Sequence, residues 1–246
     1  MPDSNQFPPL IKLLNLNKVF QVASMQFVAL SDITIDFHQH EFTAVVGRSG
    51  SGKSTLMNMI TGIDKPTYGE VIVDGMQIHN LPETDMAKWR GENLGIVFQF
   101  YQLIPVLSLV ENVMLPMQIA GKYSHNERLE RAQDLLNLVG LQKFSHKRPY
   151  MVSGGQQQST AIARALANDP PILIADEPTG NLSSGEAEKI FNIFQKLSTS
   201  GKTIIMVTHD EDLAMRARRI LKLVDGKIVS EKRQSLPHAL DQEKKA

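Results

Sequence analysis

The chain contains no cysteine, which excludes disulfides, thiolate chemistry and cysteine metal sites and suits a reducing cytosol. It has no surplus of either charge, since 26 Lys+Arg balance 26 Asp+Glu. Nucleic-acid binding usually needs an excess of basic residues on one face, so no nucleic-acid partner is expected. Nor is there a run long and apolar enough to span a bilayer. The most hydrophobic stretch, 103–119, is broken by Pro105, Glu111, Asn112 and Pro116. Residues 1–9 show neither the basic nor the apolar region of a secretory leader. Any work at a membrane would therefore depend on a partner that supplies the span. Internal repeats and low-complexity tracts are also missing, and 246 residues allow one large α/β domain or two small ones.

What is present begins with Gly47, Arg48, Ser49, Gly50, Ser51, Gly52, Lys53, Ser54 and Thr55. The apolar residues 41–46 ahead of this run read as a buried strand, and 56–61 behind it read as a helix stopped by Gly62. A glycine-rich loop followed by Lys-Ser, between a strand and a helix, is the setting of a phosphate-binding loop. Glycines let successive N–H groups curl around an anion, and the helix N-terminus adds unpaired donors. Lys53 can reach the β- and γ-phosphates, and the Ser54 hydroxyl can ligate Mg²⁺. The chain is expected to bind a nucleoside triphosphate.

Elsewhere, 11–20 and 28–37 read as antiparallel strands, and 70–73 as a strand closed by the Asp74-Gly75 turn. Helical spacing covers 126–139, 153–167 and 184–197, while 172–175 and 203–207 are continuous apolar strands. Such strands alternating with helices imply a parallel sheet covered on both faces. The segment 100–166 is expected to be mostly helical, with residues 1–9 disordered and 235–246 a flexible tail. Asp176 and Glu177 close one of the apolar strands, where an acid can hold Mg²⁺ and its neighbour can orient or deprotonate an attacking water. Ser153, Gly154, Gly155 and Gln156 open the alanine-rich helix and make a second anion-binding helix end.

Taken together, these motifs resemble the ATP-binding subunit of an ABC transporter over about residues 11–228. The resemblance implies a P-loop NTPase fold: a mostly parallel core sheet, an N-terminal antiparallel β-subdomain and a helical subdomain, within one ATPase domain at 10–234. It assigns 47–55 to the Walker A loop, 152–157 to the signature motif and 172–176 to Walker B. Glu177 takes the place of the catalytic base and Asp176 that of a metal ligand. Gln99 matches the residue that senses Mg²⁺ and the attacking water, and His209 the switch histidine that contacts the γ-phosphate. Phe20 falls where an aromatic stacks on adenine. The implied cofactors are ATP and Mg²⁺. A second ATP-binding subunit, most simply another copy, is implied to pack head to tail with two ATP molecules between. An integral-membrane permease is implied to dock around residues 99–113, on apolar side chains such as Phe98, Phe100, Tyr101, Leu103, Ile104, Leu107 and Leu109. That places the chain peripherally, on the cytoplasmic face of the inner membrane. The 177–182 segment and Ile104, Pro105, Glu111, Asn112 and Val113 resemble the lipoprotein-release, macrolide-export and cell-division subgroup.

Three positions depart from the family pattern: Val152 for Leu, Ser159 for Arg, and Ser183 for the Asp that crosses the dimer. Val152 is a minor apolar change. Ser159 removes a cation. Ser183 can still cap the next helix with Glu186 three residues on. The lost carboxylate motivates the hypothesis that hydrolysis is slower, or less coupled between sites, than with Asp. Ser183→Asp is expected to raise steady-state ATP hydrolysis, and an unchanged rate and cooperativity would remove the idea. Two rival readings are a soluble ABC ATPase acting on DNA or ribosomes and a nucleotide-dependent scaffold with weak hydrolysis. The first conflicts with the lack of sustained heptads between Lys53 and Asp176 and of a second nucleotide domain. Measured turnover against Glu177→Gln separates the second.

Overall fold

The computed structural model describes residues 9–234, so the expected disorder of 1–8 and of 235–246 lies outside the described residues. Pro9, grouped above with the leading tail, instead opens the first strand opposite His38. Strands β1 (Pro9–Val22) and β2 (Met25–His38) form the long antiparallel pair expected. With β4 (Tyr68–Val73) and β5 (Met76–Gln77) they make a four-stranded sheet ordered β2-β1-β4-β5. Asp74 and Gly75 link β4 to β5 with both φ positive, 49° and 76°, as a tight hairpin turn requires.

The second sheet has six strands. They are β3 (Phe42–Val46), β6 (Leu94–Val97), β7 (Ile172–Asp176), β8 (Thr203–Thr208), β9 (Arg219–Val224) and β10 (Lys227–Arg233). Their order is β10-β9-β3-β8-β7-β6, parallel except for the β9–β10 hairpin at the edge. Alternation along these strands divides the core in two. Ala44, Val46, Leu173, Ala175, Ile204 and Met206 face one cluster, while Val45, Ile172, Ile174, Ile205 and Val207 face the other. Both faces are buried, which is why these strands read as unbroken apolar runs.

Helices α1 (Lys53–Thr61) and α2 (Glu83–Asn93) cover the second face together with the antiparallel sheet. Helices α3 (Leu109–Ile119), α4 (His125–Leu138), α5 (Gly154–Ala165) and α6 (Ser184–Thr199) cover the first. A short α7 (Glu211–Ala214) joins β8 to β9. Helices α3, α4 and α5 fall inside 100–166. On α6, Phe191 is fully buried and its ring stacks on Phe42 with centroids 5.5 Å apart. The prolines that rule out a bilayer span in 103–119 do not rule out a helix. Ser108 and Glu111 form a capping box that starts α3, and Pro116 lies inside it, its carbonyl accepting from Ala120 N at 3.0 Å and from Asn168 Nδ2 at 3.3 Å.

Candidate nucleotide site

The phosphate loop leaves the carboxyl end of β3 and returns into α1, in a channel too narrow for side chains at two positions. A Cβ on Gly47 would lie 2.3 Å from the Leu223 carbonyl oxygen. Gly52 has φ of 102°, and a Cβ there would lie 2.5 Å from the Ala29 carbonyl oxygen. The loop is braced from outside by the β9–β10 turn, where Gly226 N–H donates to Ser51 O at 2.9 Å. Lys53 is buried at 6% exposure and folds back on the loop, donating to Gly47 O at 2.9 Å and Arg48 O at 3.1 Å.

Parallel pairing brings the other residues to the same edge. Asp176 ends β7, His209 follows β8 and Gln99 follows β6, all at carboxyl ends of strands. Gln99, Asp176, Glu177 and His209 share a cleft of about 670 Å³ with Ser49, Gly50, Gly52, Lys53, Ser54 and Thr55. Glu177 takes a left-handed conformation, φ 46°, that turns the chain as it leaves β7, and its N–H donates to Val207 O at 2.8 Å. Its carboxylate oxygens lie 2.5 Å from His209 Nδ1 and 3.7 Å from Lys53 Nζ. Ser54 Oγ donates to Asp176 Oδ1 at 3.5 Å. Burial holds the Asp176 carboxyl above the usual carboxylate range, with neighbouring Glu177 adding to the effect and Ser54 and Lys53 opposing it. A dication would relieve that penalty. Among the described residues no cluster of three or more His, Asp, Glu or Cys could hold a metal alone. The oxygen donors of Ser54, Asp176 and Gln99 therefore suit a cation that also binds phosphate.

Two supports went unread in the sequence. Gln158, fully buried on α5, donates to Phe98 O at 3.3 Å, and Asn181 Nδ2 donates to Gln99 O at 3.4 Å, so the Gln99 loop is tethered from two sides. Asn112, also fully buried, donates to Ser108 O at 2.9 Å and to Ile104 O and Leu107 O at 3.2 Å, and accepts from Ile104 N at 2.7 Å. Asn112→Ala strips this loop of its partners and is expected to cost about 2–4 kcal/mol in urea unfolding.

Not every expected residue lines the cleft or the surface. Phe20 does not line the cleft. Phe27 and Ala29 form that wall, and Phe20 pairs with Phe27 across the hairpin with Lys18 Nζ 4.9 Å from its ring centre. Gly47, Arg48 and Ser51 belong to the loop behind the cleft wall, where Gly47 O and Arg48 O accept from Lys53 and Ser51 O accepts from Gly226 N. Leu109 and Val113 are fully buried core residues and offer no docking surface, whereas Phe100 is 68% exposed. A separate apolar groove of about 880 Å³ lies between α2 and α3, with Phe98, Leu115 and Ile119 on its walls.

Ser153, Gly155 and Gln156 line a different cleft, of about 700 Å³, at the start of α5. Ser153 caps the helix, accepting from Gln156 N at 3.3 Å, and Gly154 abuts the Tyr101 hydroxyl. Ser159 is buried, donating to Gly155 O at 2.9 Å. The expected nucleotide residues thus fall into two clefts of one chain: the phosphate loop with Gln99, Asp176, Glu177 and His209 in one, the start of α5 in the other.

A family model described as ABC transporter matches residues 30–180, more than half of the chain. The chain belongs to the ABC transporter family. Among its relatives is the macrolide export ATP-binding/permease protein MacB of Rhodospirillum rubrum, 42% identical over 95% of this chain but only 36% of that protein. The chain thus spans about a third of the length of such relatives. The lipoprotein-releasing system ATP-binding protein LolD 1 of Chlorobium chlorochromatii is 43% identical, over 89% of this chain and 90% of its own. A dimeric structure of the cassette MJ0796, in a post-hydrolysis state bound to ADP and Pi, superposes with a TM-score of 0.85 at 41% identity, covering 91% of this chain and 98% of that one. As a member of the ABC transporter family, the chain is an ATP-binding cassette of the ATP-hydrolysing type.

Proposed function

We propose that this chain is the ATPase subunit of a transporter or mechanotransmission complex, dimerising on Mg-ATP to drive a separate membrane permease. The observation that carries the reading is the convergence of Gln99, Asp176, Glu177 and His209 on the phosphate loop. The loop amides and Lys53 hold the β- and γ-phosphates, Lys53 exchanging its two loop carbonyls for phosphate oxygens. Ser54, Asp176 and Gln99 would hold Mg²⁺, which neutralises charge between the phosphates. Glu177 accepts the proton of the water that attacks the γ-phosphate in line, and the products are ADP and inorganic phosphate. His209, bonded to Glu177, orients that carboxylate and reaches the γ-phosphate. Adenine rests against the β1–β2 hairpin, where Phe27 or Phe20 presents a ring face.

The start of α5, with Ser153, Gly154, Gly155 and Gln156, receives the γ-phosphate held by a second copy. A two-fold arrangement closes both sites at once. Residues 10–234 act as one ATPase domain, with 100–166 as its helical subdomain. No described helix is long and apolar enough to cross a membrane. The permease therefore positions the chain at the cytoplasmic face of the inner membrane, docking on Phe100, Ile104 and the neighbouring α2–α3 groove. The likeness to the macrolide-export and lipoprotein-releasing proteins supports that subgroup. Affinity purification from solubilised membranes tests the reading: an integral-membrane permease is expected to co-purify and to stimulate ATP hydrolysis. A chain that hydrolyses ATP but brings down no membrane protein would favour the soluble alternative.

A further inference from the structure

Helix α6 starts beside the start of α5, and one side chain joins them. Glu186 closes the first turn of α6, its Oε2 accepting from Ser183 Oγ at 2.9 Å and Ser183 N at 3.4 Å. Its other oxygen leaves α6 altogether. Oε1 accepts from Ser153 Oγ at 3.1 Å and from the Gly155 backbone N–H at 3.2 Å. A Cβ on Gly155 would lie 2.7 Å from that oxygen, so the glycine leaves just the room the carboxylate uses. A helix N-terminus favours an anion, and here the chain supplies its own. These four hydrogen bonds hold the Glu186 carboxyl below the usual carboxylate range, so it is charged at neutral pH.

We propose that Glu186 is a built-in occupant of the α5 anion site: its carboxylate holds donors a phosphate would use and sets how readily ATP closes two copies together. The inference rests on the reading that the start of α5 receives the other copy's γ-phosphate. Closure then requires the carboxylate to withdraw, because it would otherwise face a polyanion across the same two donors. Space and a new partner are at hand. Glu186 lines the 700 Å³ cleft together with Lys189, one turn along α6, and Lys196. Ser159, a small side chain where the family pattern has Arg, lines it as well.

The test uses the full chain carrying Glu177→Gln, so that ATP stays uncleaved, with and without Glu186→Gln. Dimer dissociation constants are measured by analytical ultracentrifugation in saturating Mg-ATP. An anion at a helix end changes an equilibrium about 2–5-fold, and two sites close per dimer, so the constant should fall roughly 4–25-fold. The affinity of the monomer for ATP should stay the same. Glu186→Asp keeps an acid in the first turn but retracts it from Gly155, and should shift the constant in the same direction should the Gln variant fold poorly. A purely structural Glu186 would make both variants dimerise equally or worse than the parent, which overturns the proposal and leaves the ATP-sandwich reading intact. If the Glu177→Gln parent binds ATP yet never dimerises, that reading fails and the proposal falls with it.

Discussion

Glu177→Gln is expected to lower ATP turnover by about 10²–10⁴-fold, the usual contribution of a positioned general base. ATP should stay bound through the loss. Glutamine matches glutamate in shape and can still accept from His209, now 2.5 Å from the carboxylate, so the edge of the sheet keeps its geometry. What disappears is proton affinity next to the attacking water. The φ of 46° at this position is satisfied as well by Gln as by Glu, so the substitution adds no backbone strain. Phosphate release under steady state and retention of ATP after gel filtration make the comparison. Turnover within tenfold of the parent would move the base elsewhere in the cleft.

Lys53→Ala should act one step earlier, on binding. Charge-assisted hydrogen bonds contribute about 1.5–3 kcal/mol, so ATP affinity should fall roughly 10–150-fold. A second effect compounds it. Lys53 is the cation that draws the Asp176 carboxyl downward against burial and the Glu177 charge. Without it Asp176 keeps its proton to higher pH, and a protonated carboxyl is a poor Mg²⁺ ligand. Titration calorimetry should therefore show a larger loss with Mg-ATP than with ATP alone, widening as pH falls. An affinity within about threefold of the parent would show that loop amides alone hold the phosphates.

How much of this could be read from the sequence depends on how local each signal is. The phosphate loop and the Asp176-Glu177 pair are contiguous and sit between elements whose patterns are strong, so both were legible. The two-face burial of β3, β7 and β8 was legible for the same reason. That Phe20 sits beside the cleft as the cross-strand partner of Phe27 was not legible, because β1 carries register shifts between Leu13 and Leu16, Leu16 and Lys18, and Lys18 and Val19. Each irregularity interrupts the alternation from which facing is inferred. Helix α2 buries only Met86 and Trp89, too little to print a stripe. Strand β9 begins at Arg219, a buried cation bonded to Glu41 and Glu231, which hides the apolar pattern of the edge. The Glu186 contact joins residues more than thirty positions apart, and no local rule anticipates it.

The strand order has a bearing on how the molecule is made. Strand β3 takes β8 and β9, both made well after it, as its two neighbours, the latter starting only at Arg219. A nascent chain that stops short of β8 holds the phosphate loop on a strand with both ladders unpaired. Nucleotide capture thus awaits synthesis through β9, and until then β3 is an exposed hydrophobic ribbon open to mispairing.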